Sequence, residues 1–170
     1  MSNPELSRRV AEIVRKVEIR GVRLTSGRFC CTILTPGDLA SKPVLHLEYR
    51  ASAGERDPDG AFKILVELEG TVQGRSESEP AVTIAATFEL TYALSRDITV
   101  AAEDLDAFAN VNGIFNTWPY WREFFQSSLT RMSLPVFQLP VLRGFPSVLH
   151  DDAIEIGHRV TAQQSPVLRS

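Results

Sequence analysis

The sequence predicts an α+β domain: a four-stranded antiparallel meander sheet with a long C-terminal helix packed on one face and an extra N-terminal helix. Four long segments alternate apolar and polar residues and are joined by short polar turns, and a helical region rich in aromatic residues follows them. Antiparallel sheets commonly bury one face and leave the other solvated, so helices are expected to cover the apolar face. A chain of 170 residues suits one such domain.

Residues 1–16 are predicted to form the N-terminal helix. Asn3 and Pro4 are typical of a helix start, and apolar residues follow at spacings of three and four, which places them on one stripe. These residues are Leu6, Val10, Ile13, Val14 and Val17. The rest of the chain divides into a main domain, residues 17–146, and a polar tail, residues 147–170, which is expected to be flexible or weakly helical.

The four predicted strands open the main domain. The first begins at Val17 and continues as far as residue 34, and a slip in its alternation at Gly21 predicts a β-bulge. The other three lie around residues 45–50, 62–69 and 82–94, with turns rich in glycine, proline and acidic residues between them. Because these turns are of hairpin length, consecutive strands are expected to be neighbours in the sheet.

Two helices are predicted after the sheet. The first covers residues 103–111, and the Asn-Gly pair at 112–113 is expected to end it. Thr117 can cap the second helix, which has Pro119 in its first turn and runs to about Met132.

The composition argues against several classes of protein. A net charge of −3 does not suit a nucleic-acid binder that relies on overall charge. Cys30 and Cys31 are neighbours on a strand and point to opposite faces, so a disulfide between them is not expected. No histidine lies nearby in the sequence to activate either thiol, so buried structural thiols are expected. The first residues lack the apolar core of a secretory signal, and no apolar run approaches the roughly 20 residues of a membrane span. These features predict a cytoplasmic protein.

No set of catalytic residues can be recognised in the sequence. There is no Gly-rich phosphate loop and no G-x-S-x-G nucleophile elbow. His46, His150 and His158 do not stand at zinc-ligand spacing from another histidine or cysteine. We therefore expect a protein that is not an enzyme and that uses no metal and no cofactor.

Residues 113–142, GIFNTWPYWREFFQSSLTRMSLPVFQLPVL, are the most informative part of the chain. Aromatic residues surround more than half of the helix, which is more apolar surface than one contact with a sheet would bury. The apolar segment that follows is interrupted by Pro135 and Pro140, which keep it extended. The excess apolar surface is expected to meet another subunit or a partner chain.

This stretch resembles the SecB family of bacterial protein-export chaperones. The resemblance is carried by the Asn-Gly pair at 112–113, the PYWRE opening at 119–123 and the PVFQLPV segment at 135–141, and the four preceding strands match in order and approximate length. Trp118-Pro119-Tyr120 and the added N-terminal helix are more similar to the divergent SecB-like branch, whose members stand alone or accompany toxin–antitoxin pairs.

The resemblance implies a homotetramer, built as a dimer of dimers, whose long apolar groove holds unfolded client chains without ATP. The implied partners are client or preprotein chains, an antitoxin, or the SecA motor. Two features depart from the export members. The chain is only mildly acidic, and residues 150–170 do not match the tail that contacts SecA.

The resemblance also assigns candidate roles to three groups of residues. The client groove is expected to be lined by Phe115, Trp118, Tyr120, Phe124, Val136, Phe137 and Leu139. The helix interface between subunits is expected to be built by Trp121, Phe125, Leu129 and Met132, which also suit a core. A motor-docking surface on the solvated face of the sheet would use Glu48, Glu67, Glu69 and Glu89.

Three functions remain open at this point. The first is an ATP-independent holdase for unfolded clients in export or a related pathway, and the second is a SecB-like chaperone dedicated to one antitoxin. The third belongs to another class, a small-ligand protein or thioesterase of the hot-dog kind, which also wraps a sheet around a long helix. That third function would need a catalytic acid or amide near the central helix, for which Glu123 and Asn116 are the candidates.

Overall fold

The computed structural model describes residues 4–33, 35, 39, 44–74, 79–96, 98–136, 139, 142 and 154–156. It confirms the α+β class, with an antiparallel sheet of four long strands and one short one, an N-terminal helix and a long helix after the four long strands. The helical elements are α1 (Pro4–Lys16), α2 (Ala102–Phe108), a π-helical turn (Ala109–Gly113) and α3 (Ile114–Arg131). The strands are β1 (Val17–Cys31), β2 (Leu45–Ala53), β3 (Ala61–Gln73), β4 (Pro80–Leu94) and β5 (Ile154–Ile156).

The order of the strands corrects the predicted meander at one position. The sheet runs β1-β4-β3-β2-β5, so β2, β3 and β4 form consecutive hairpins but β1 pairs with β4 instead of β2. The connection from β1 to β2, residues 32–44, is far longer than a hairpin turn. The two strands therefore need not be neighbours in the sheet. Both β1 and β4 have 15 residues whereas β2 has 9, so pairing β1 with β4 satisfies more backbone hydrogen bonds.

Strand β1 is irregular in two places. Its register with β4 shifts between Ile19 and Gly21, where the sequence predicted a bulge, and again between Leu24 and Ser26. Each shift bends the strand locally and strengthens its twist. Despite both irregularities, the apolar residues of β1 stay opposite the buried residues of β4, as Leu24 does opposite Phe88.

The core lies between the sheet and the helices. Alternate residues of β3 and β4 are buried on this face, and α3 packs across them. Three aromatic rings meet beneath α2: Phe62 stacks on Tyr92 with centroids 5.4 Å apart, and Phe108 packs edge-on against both. Burial raises the pKa of Tyr92, partly offset by a hydrogen bond that Asn116 Nδ2 donates to its hydroxyl.

The helical region is continuous where the sequence predicted a break. Instead of ending at the Asn-Gly pair, α2 passes through the π-helical turn directly into α3. Gly113 serves close packing, because a Cβ there would lie 2.9 Å from Ile64 Cγ2. Thr117 does not cap the helix; its Oγ1 donates to the Gly113 carbonyl from inside α3. Pro119 consequently lies in the interior of α3 and not in its first turn.

Helix α1 is fastened to α2 by an ion-pair cluster and one buried aliphatic residue. Arg9 Nε donates to Asp104 Oδ1 at 2.7 Å, and Arg9 Nη2 donates to Glu103 Oε1 at 2.8 Å. The hydrogen bond to Asp104 raises the pKa of Arg9. Ile13 is buried in the main core. Segment 1–16 is thus joined to the main domain through its residues from Pro4 onward.

Part of the C-terminal tail forms a strand. Residues 154–156 pair antiparallel with β2, so the expectation of a frayed or weakly helical tail is wrong for these three residues. The rest of 147–170 lies outside the described residues.

Candidate functional site

The aromatic residues of α3 divide sharply between core and surface. Trp121 and Phe125 are 0% exposed and Trp118 is 4% exposed, whereas Tyr120 is 49% exposed. Leu139, beyond the helix, is 1% exposed. Trp118 and Leu139, which were expected to line a client groove, are buried in this protomer and expose almost no side-chain surface, so their place in a groove stays a prediction.

The expected subunit interface is also mostly core. Trp121, Phe125 and Leu129 are each 0% exposed and pack against the sheet of their own protomer. In this protomer the three side chains belong to the core, and their role in a subunit interface stays a prediction. Met132 is half-buried at the end of α3 and packs against the same core.

Strand β1 exposes three large apolar side chains on one face of the sheet. Ile19, Leu24 and Phe29 are 43%, 46% and 47% exposed. Each stands opposite a buried residue of β4, and because directly opposed residues share a face, all three lie on the core side of the sheet. This strip continues to α3, where the ring of Phe124 lies against Gly27 of β1.

We call this surface the β1 shelf. Its floor is Ile19, Leu24 and Phe29, and its wall is Phe124 with Tyr120, which lies one turn earlier on the same side of α3. Phe124 is half-buried and stacks on Trp121, with ring centroids 6.2 Å apart, so one face of the wall packs against a buried residue.

The shelf is open because one helix is narrower than the sheet beneath it. Neighbouring strands are about 4.8 Å apart, so four strands span roughly 14 Å, whereas a helix with its side chains is about 10 Å wide. Helix α3 contacts β3 and β4, and α2 with the π-helical turn covers β2. On the outer strand β1, Phe124 lies over Gly27, while Ile19, Leu24 and Phe29 stay exposed.

The other predicted groove residues lie elsewhere. Phe115 is exposed, but it precedes Tyr120 by five residues and so lies about 140° around the helix from it. Val136 is exposed above the outer side of α3, where it borders a shallow concavity with Pro119 and Glu123. Phe137 lies outside the described residues. Of the predicted groove, only Tyr120 and Phe124 meet on one surface.

The three floor residues of the shelf were not predicted as a site. Their alternation was visible in the sequence, but it equally indicates a strand whose apolar face is covered. One signal in the sequence could have identified them. Four long strands are followed by a single long helix, and one helix is too narrow to cover four strands, so an outer strand must stay uncovered.

The acidic residues of the outer face are largely neutralised. Glu67 pairs with Arg50 at 2.8 Å, and Glu69 pairs with Arg28 at 2.8 Å. Glu89 pairs with both Arg23, at 2.9 Å, and Lys63, at 3.2 Å. Glu48 stands opposite Glu69 in the register and makes no ion pair with a described residue. The face therefore carries interleaved charges of both signs.

Neither candidate for the catalytic acid or amide of a hot-dog enzyme faces an enclosed tunnel in the described structure. Asn116 is engaged with the Tyr92 hydroxyl at 2.8 Å, while Glu123 borders the concavity on the outer side of α3. Among the described residues, no three His, Cys, Asp or Glu side chains come together as a metal site requires.

Two further observations concern the cysteines and the membrane. Cys30 and Cys31 are free and exposed, so the expectation of buried thiols is wrong, because both faces of the outer strand β1 reach the surface. No helix within the described ranges has the length and apolarity to cross a lipid bilayer.

Four long antiparallel strands in the order β1-β4-β3-β2, covered by a long helix, define a SecB-like α+β fold. The structure is similar to that of the SecB-like chaperone Rv1957 of Mycobacterium tuberculosis, solved in complex with a ChAD peptide from the HigA1 antitoxin. The TM-score is 0.70 at 22% sequence identity, over 81% of this chain and 98% of that one. This likeness confirms the predicted SecB-like fold.

A second solved structure, a protein of unknown function from Streptococcus agalactiae, matches with a TM-score of 0.46 at 9% identity, over 74% of this chain and 97% of that one. No protein-family model and no curated protein matches the sequence.

Gly27 and Gly70, two glycines that face α3, provide a matched test of how firmly Phe124, the wall of the β1 shelf, is held. A Cβ at Gly27 would lie 2.7 Å from Phe124 Cζ, and a Cβ at Gly70 would lie 2.6 Å from Phe125 Cε2. Phe124 borders the open shelf and can move, whereas Phe125 is fully buried. We expect Gly70→Ala to lower the free energy of unfolding by about 1–3 kcal/mol, as overpacking does, and Gly27→Ala to cost less than about 1 kcal/mol.

Urea denaturation of both variants measures this difference. Equal costs at the two positions would mean that Phe124 is held as tightly as Phe125, and the wall of the shelf would then belong to the rigid core.

Proposed function

We propose that this protein is an ATP-independent chaperone that holds unfolded or extended client polypeptides on the β1 shelf. The observation that carries the proposal is the shelf itself, an apolar strip of three large side chains left uncovered beside a half-buried aromatic wall. Unfolded chains present apolar residues in no fixed order, and a broad apolar strip suits them better than a shaped pocket. The SecB-like fold supports the same function.

The energetics of such a strip suit a holdase. Fully burying one large apolar side chain contributes about 1.5–3 kcal/mol, so the partly exposed shelf residues each offer a fraction of that. One shelf binds a short segment weakly, but several shelves in an oligomer act on one client through their effective concentration. Release then follows from the client's own folding or from transfer to a partner.

We further propose a homotetramer built as a dimer of dimers. β1 is a long strand at the end of the sheet, and beyond β4 it has no second strand partner among the described residues. Unpaired edges of this kind favour pairing with another chain, and a two-fold axis would join two β1 strands antiparallel. Self-pairing uses the backbone edge of β1 and leaves the side chains on its face available to clients.

The test is suppression of aggregation by the purified protein. A chemically unfolded test protein is diluted into buffer without nucleotide, and its light scattering is followed with increasing amounts of this protein. We expect scattering to fall and to approach zero at stoichiometric excess. Unchanged scattering at high excess, with the protein itself folded, would refute a general holdase.

A chaperone dedicated to an antitoxin is the second candidate. The specific observation in its favour is that the similar Mycobacterium tuberculosis structure contains an antitoxin peptide. A dedicated chaperone should bind one antitoxin tightly and leave the test protein to aggregate. A toxin–antitoxin pair in the adjacent genes, together with co-purification of that antitoxin, would decide for this candidate.

For either function, we propose that the protein acts in the cytoplasm. We also propose that a SecA-type motor would dock on the outer face of the sheet. Glu48, Glu67, Glu69 and Glu89 are the residues concerned. Because the last three are ion-paired, a partner would have to compete with arginine and lysine for them. Docking there would be weak and would fall further with added salt.

A further inference from the structure

The outer edge of β2 carries the shortest strand of the sheet. β5 pairs with it in the register Leu45 to Ile156, His46 to Glu155 and Leu47 to Ile154. β2 has nine residues, so β5 covers only its first third. Beyond Leu47, no strand accompanies the outer edge of β2 in the ranges that the structure describes.

The register identifies which backbone groups lie on that edge. Gln73 N donates to the Val44 carbonyl, and Gly54 N donates to the Lys63 carbonyl, so the even-numbered residues along β2 bond to β3. In an antiparallel strand, alternate residues direct both of their backbone groups to the same side. The odd-numbered residues of β2 therefore direct theirs away from β3.

Four residues of β2 supply these outward groups, and the row ends at Ala53. Leu45 and Leu47 meet β5, and Tyr49 and Ala51 continue the row with no strand beside them in the described structure. At the end of the row, Ala53 N donates to Asp106 Oδ1 at 3.3 Å, so α2 closes the edge there. The result is a bounded strand-binding edge that is half occupied by the chain's own tail.

We propose that the edge of β2 from Leu45 to Ala51 accepts an extended client segment as an added strand, and that Ile154–Ile156 occupies part of this edge in cis until a client displaces it. The inference rests on the proposed holding function. It adds a second client site, and it assigns the C-terminal segment the role of an intramolecular competitor.

The chemistry of the edge suits an unfolded polypeptide. Strand addition binds the backbone, which every client has, and gains selectivity from alternate side chains. The segment already bound has the pattern Ile-Glu-Ile, with its isoleucines in register with the buried Leu45 and Leu47. A client with aliphatic residues at alternate positions can reproduce this pairing and extend it to Ala51. Since β5 is only three residues long, its own pairing is weak and can be replaced.

The position of the edge also fits an oligomer. The β1 shelf and the β2 edge lie at opposite ends of the sheet, so pairing of two β1 strands would not block the edge. A long client could occupy both sites on one protomer, which raises its overall affinity through effective concentration.

A reversible lock tests the competition in the full chain. His46 and Glu155 are the pair whose backbone groups do not bond each other, and such residues have Cα atoms about 4.5 Å apart, within disulfide range. We introduce His46→Cys with Glu155→Cys in a chain that also carries Cys30→Ser and Cys31→Ser. The probe is a fluorescently labelled protein kept unfolded by reduction and alkylation of its cysteines.

Oxidation of the engineered pair is expected to weaken probe binding about tenfold, and reduction is expected to restore it, since binding falls with the fraction of open sites. Two proline variants test the same competition from the other direction, by weakening the pairing of β5 instead of locking it. Ile156→Pro removes an N–H that β5 donates to β2 and should strengthen binding about fivefold. Glu155→Pro removes an N–H that faces away from β2 and should leave binding unchanged.

Amide hydrogen exchange then locates the bound client. Saturating probe should slow exchange at Tyr49 and Ala51 in the wild-type chain. Two results would overturn the proposed strand site but not the holding function. One is probe affinity that does not change when the disulfide forms, and the other is exchange at these two amides that stays fast in the saturated complex. A wild-type chain that does not bind the probe at all would overturn the holding function and this inference with it.

Discussion

Replacing Trp121 with alanine is expected to lower the free energy of unfolding by about 3–5 kcal/mol, the usual cost of truncating a fully buried aromatic residue. Trp121 has no exposed surface, and its ring packs against Phe125 and Phe124 with centroids 5.4 Å and 6.2 Å away. Its indole N–H is buried without a described hydrogen-bond partner, so removing this donor offsets part of the cost and places the expected value toward the lower end of that range. Urea denaturation followed by far-UV circular dichroism, at one fixed protomer concentration, measures the change.

The neighbouring residue provides the control. Tyr120 lies next to Trp121 on the same helix but is half exposed, so Tyr120→Ala should cost less than about 1 kcal/mol. If Trp121→Ala instead kept the unfolding free energy and reduced the oligomer to monomers, Trp121 would be a subunit contact. The assignment made from the sequence would then be right, and the assignment to the core would be wrong.

The double variant Leu24→Thr with Phe29→Thr is expected to weaken client binding about thirtyfold or more while leaving the fold intact. Each side chain is nearly half exposed, and covering that surface with a client contributes about 1–1.5 kcal/mol per residue. Threonine keeps the β-strand preference of the positions, so β1 should remain paired with β4. Fluorescence anisotropy with a labelled unfolded protein measures the affinity, and the aggregation assay measures the activity.

Leu65→Thr is the matched control for this variant. Leu65 is 43% exposed, much like Leu24, but it lies opposite Glu89 on the outer face of the sheet. The same substitution there should leave client binding unchanged. Equal losses from both variants would mean that binding responds to overall apolar surface and not to the shelf. A double variant that falls to monomers would show that β1 side chains serve assembly.

These two experiments test surfaces that the sequence separated only in part. Trp121 and Tyr120 are adjacent, aromatic and on one helix, yet one is sealed against the sheet and the other is open. Helical spacing placed Trp121 on the packing stripe and Tyr120 off it, but it did not tell how fully each ring is covered when aromatic residues surround most of the helix. The packing of α3 on β3 and β4 decides that coverage.

The cross-strand ion pairs are a second feature that the sequence alone could not predict. Glu69 and Arg28 are far apart in the sequence and become partners on the outer face because β1 lies beside β4 and not beside β2. The family resemblance suggested an acidic docking surface for the same glutamates, but the sequence did not show which basic residues lie beside them. Strand order is a global property, because it depends on the length of the 32–44 connection and on which strand can satisfy most of the backbone of β1.

The amino-acid sequence alone determined the elements of this protein: the amphipathic N-terminal helix, the alternating strands with the bulge at Gly21, the aromatic helix and the resemblance to the SecB fold. Those features are local, because the periodicity of side chains and the chemistry of turns act over a few residues. Only the tertiary structure decided which apolar residues stay uncovered, which charges meet and where Ile154–Ile156 binds. Such properties depend on one helix being narrower than the sheet it covers and on edges whose backbone groups need a partner, and both arise only when distant segments pack together.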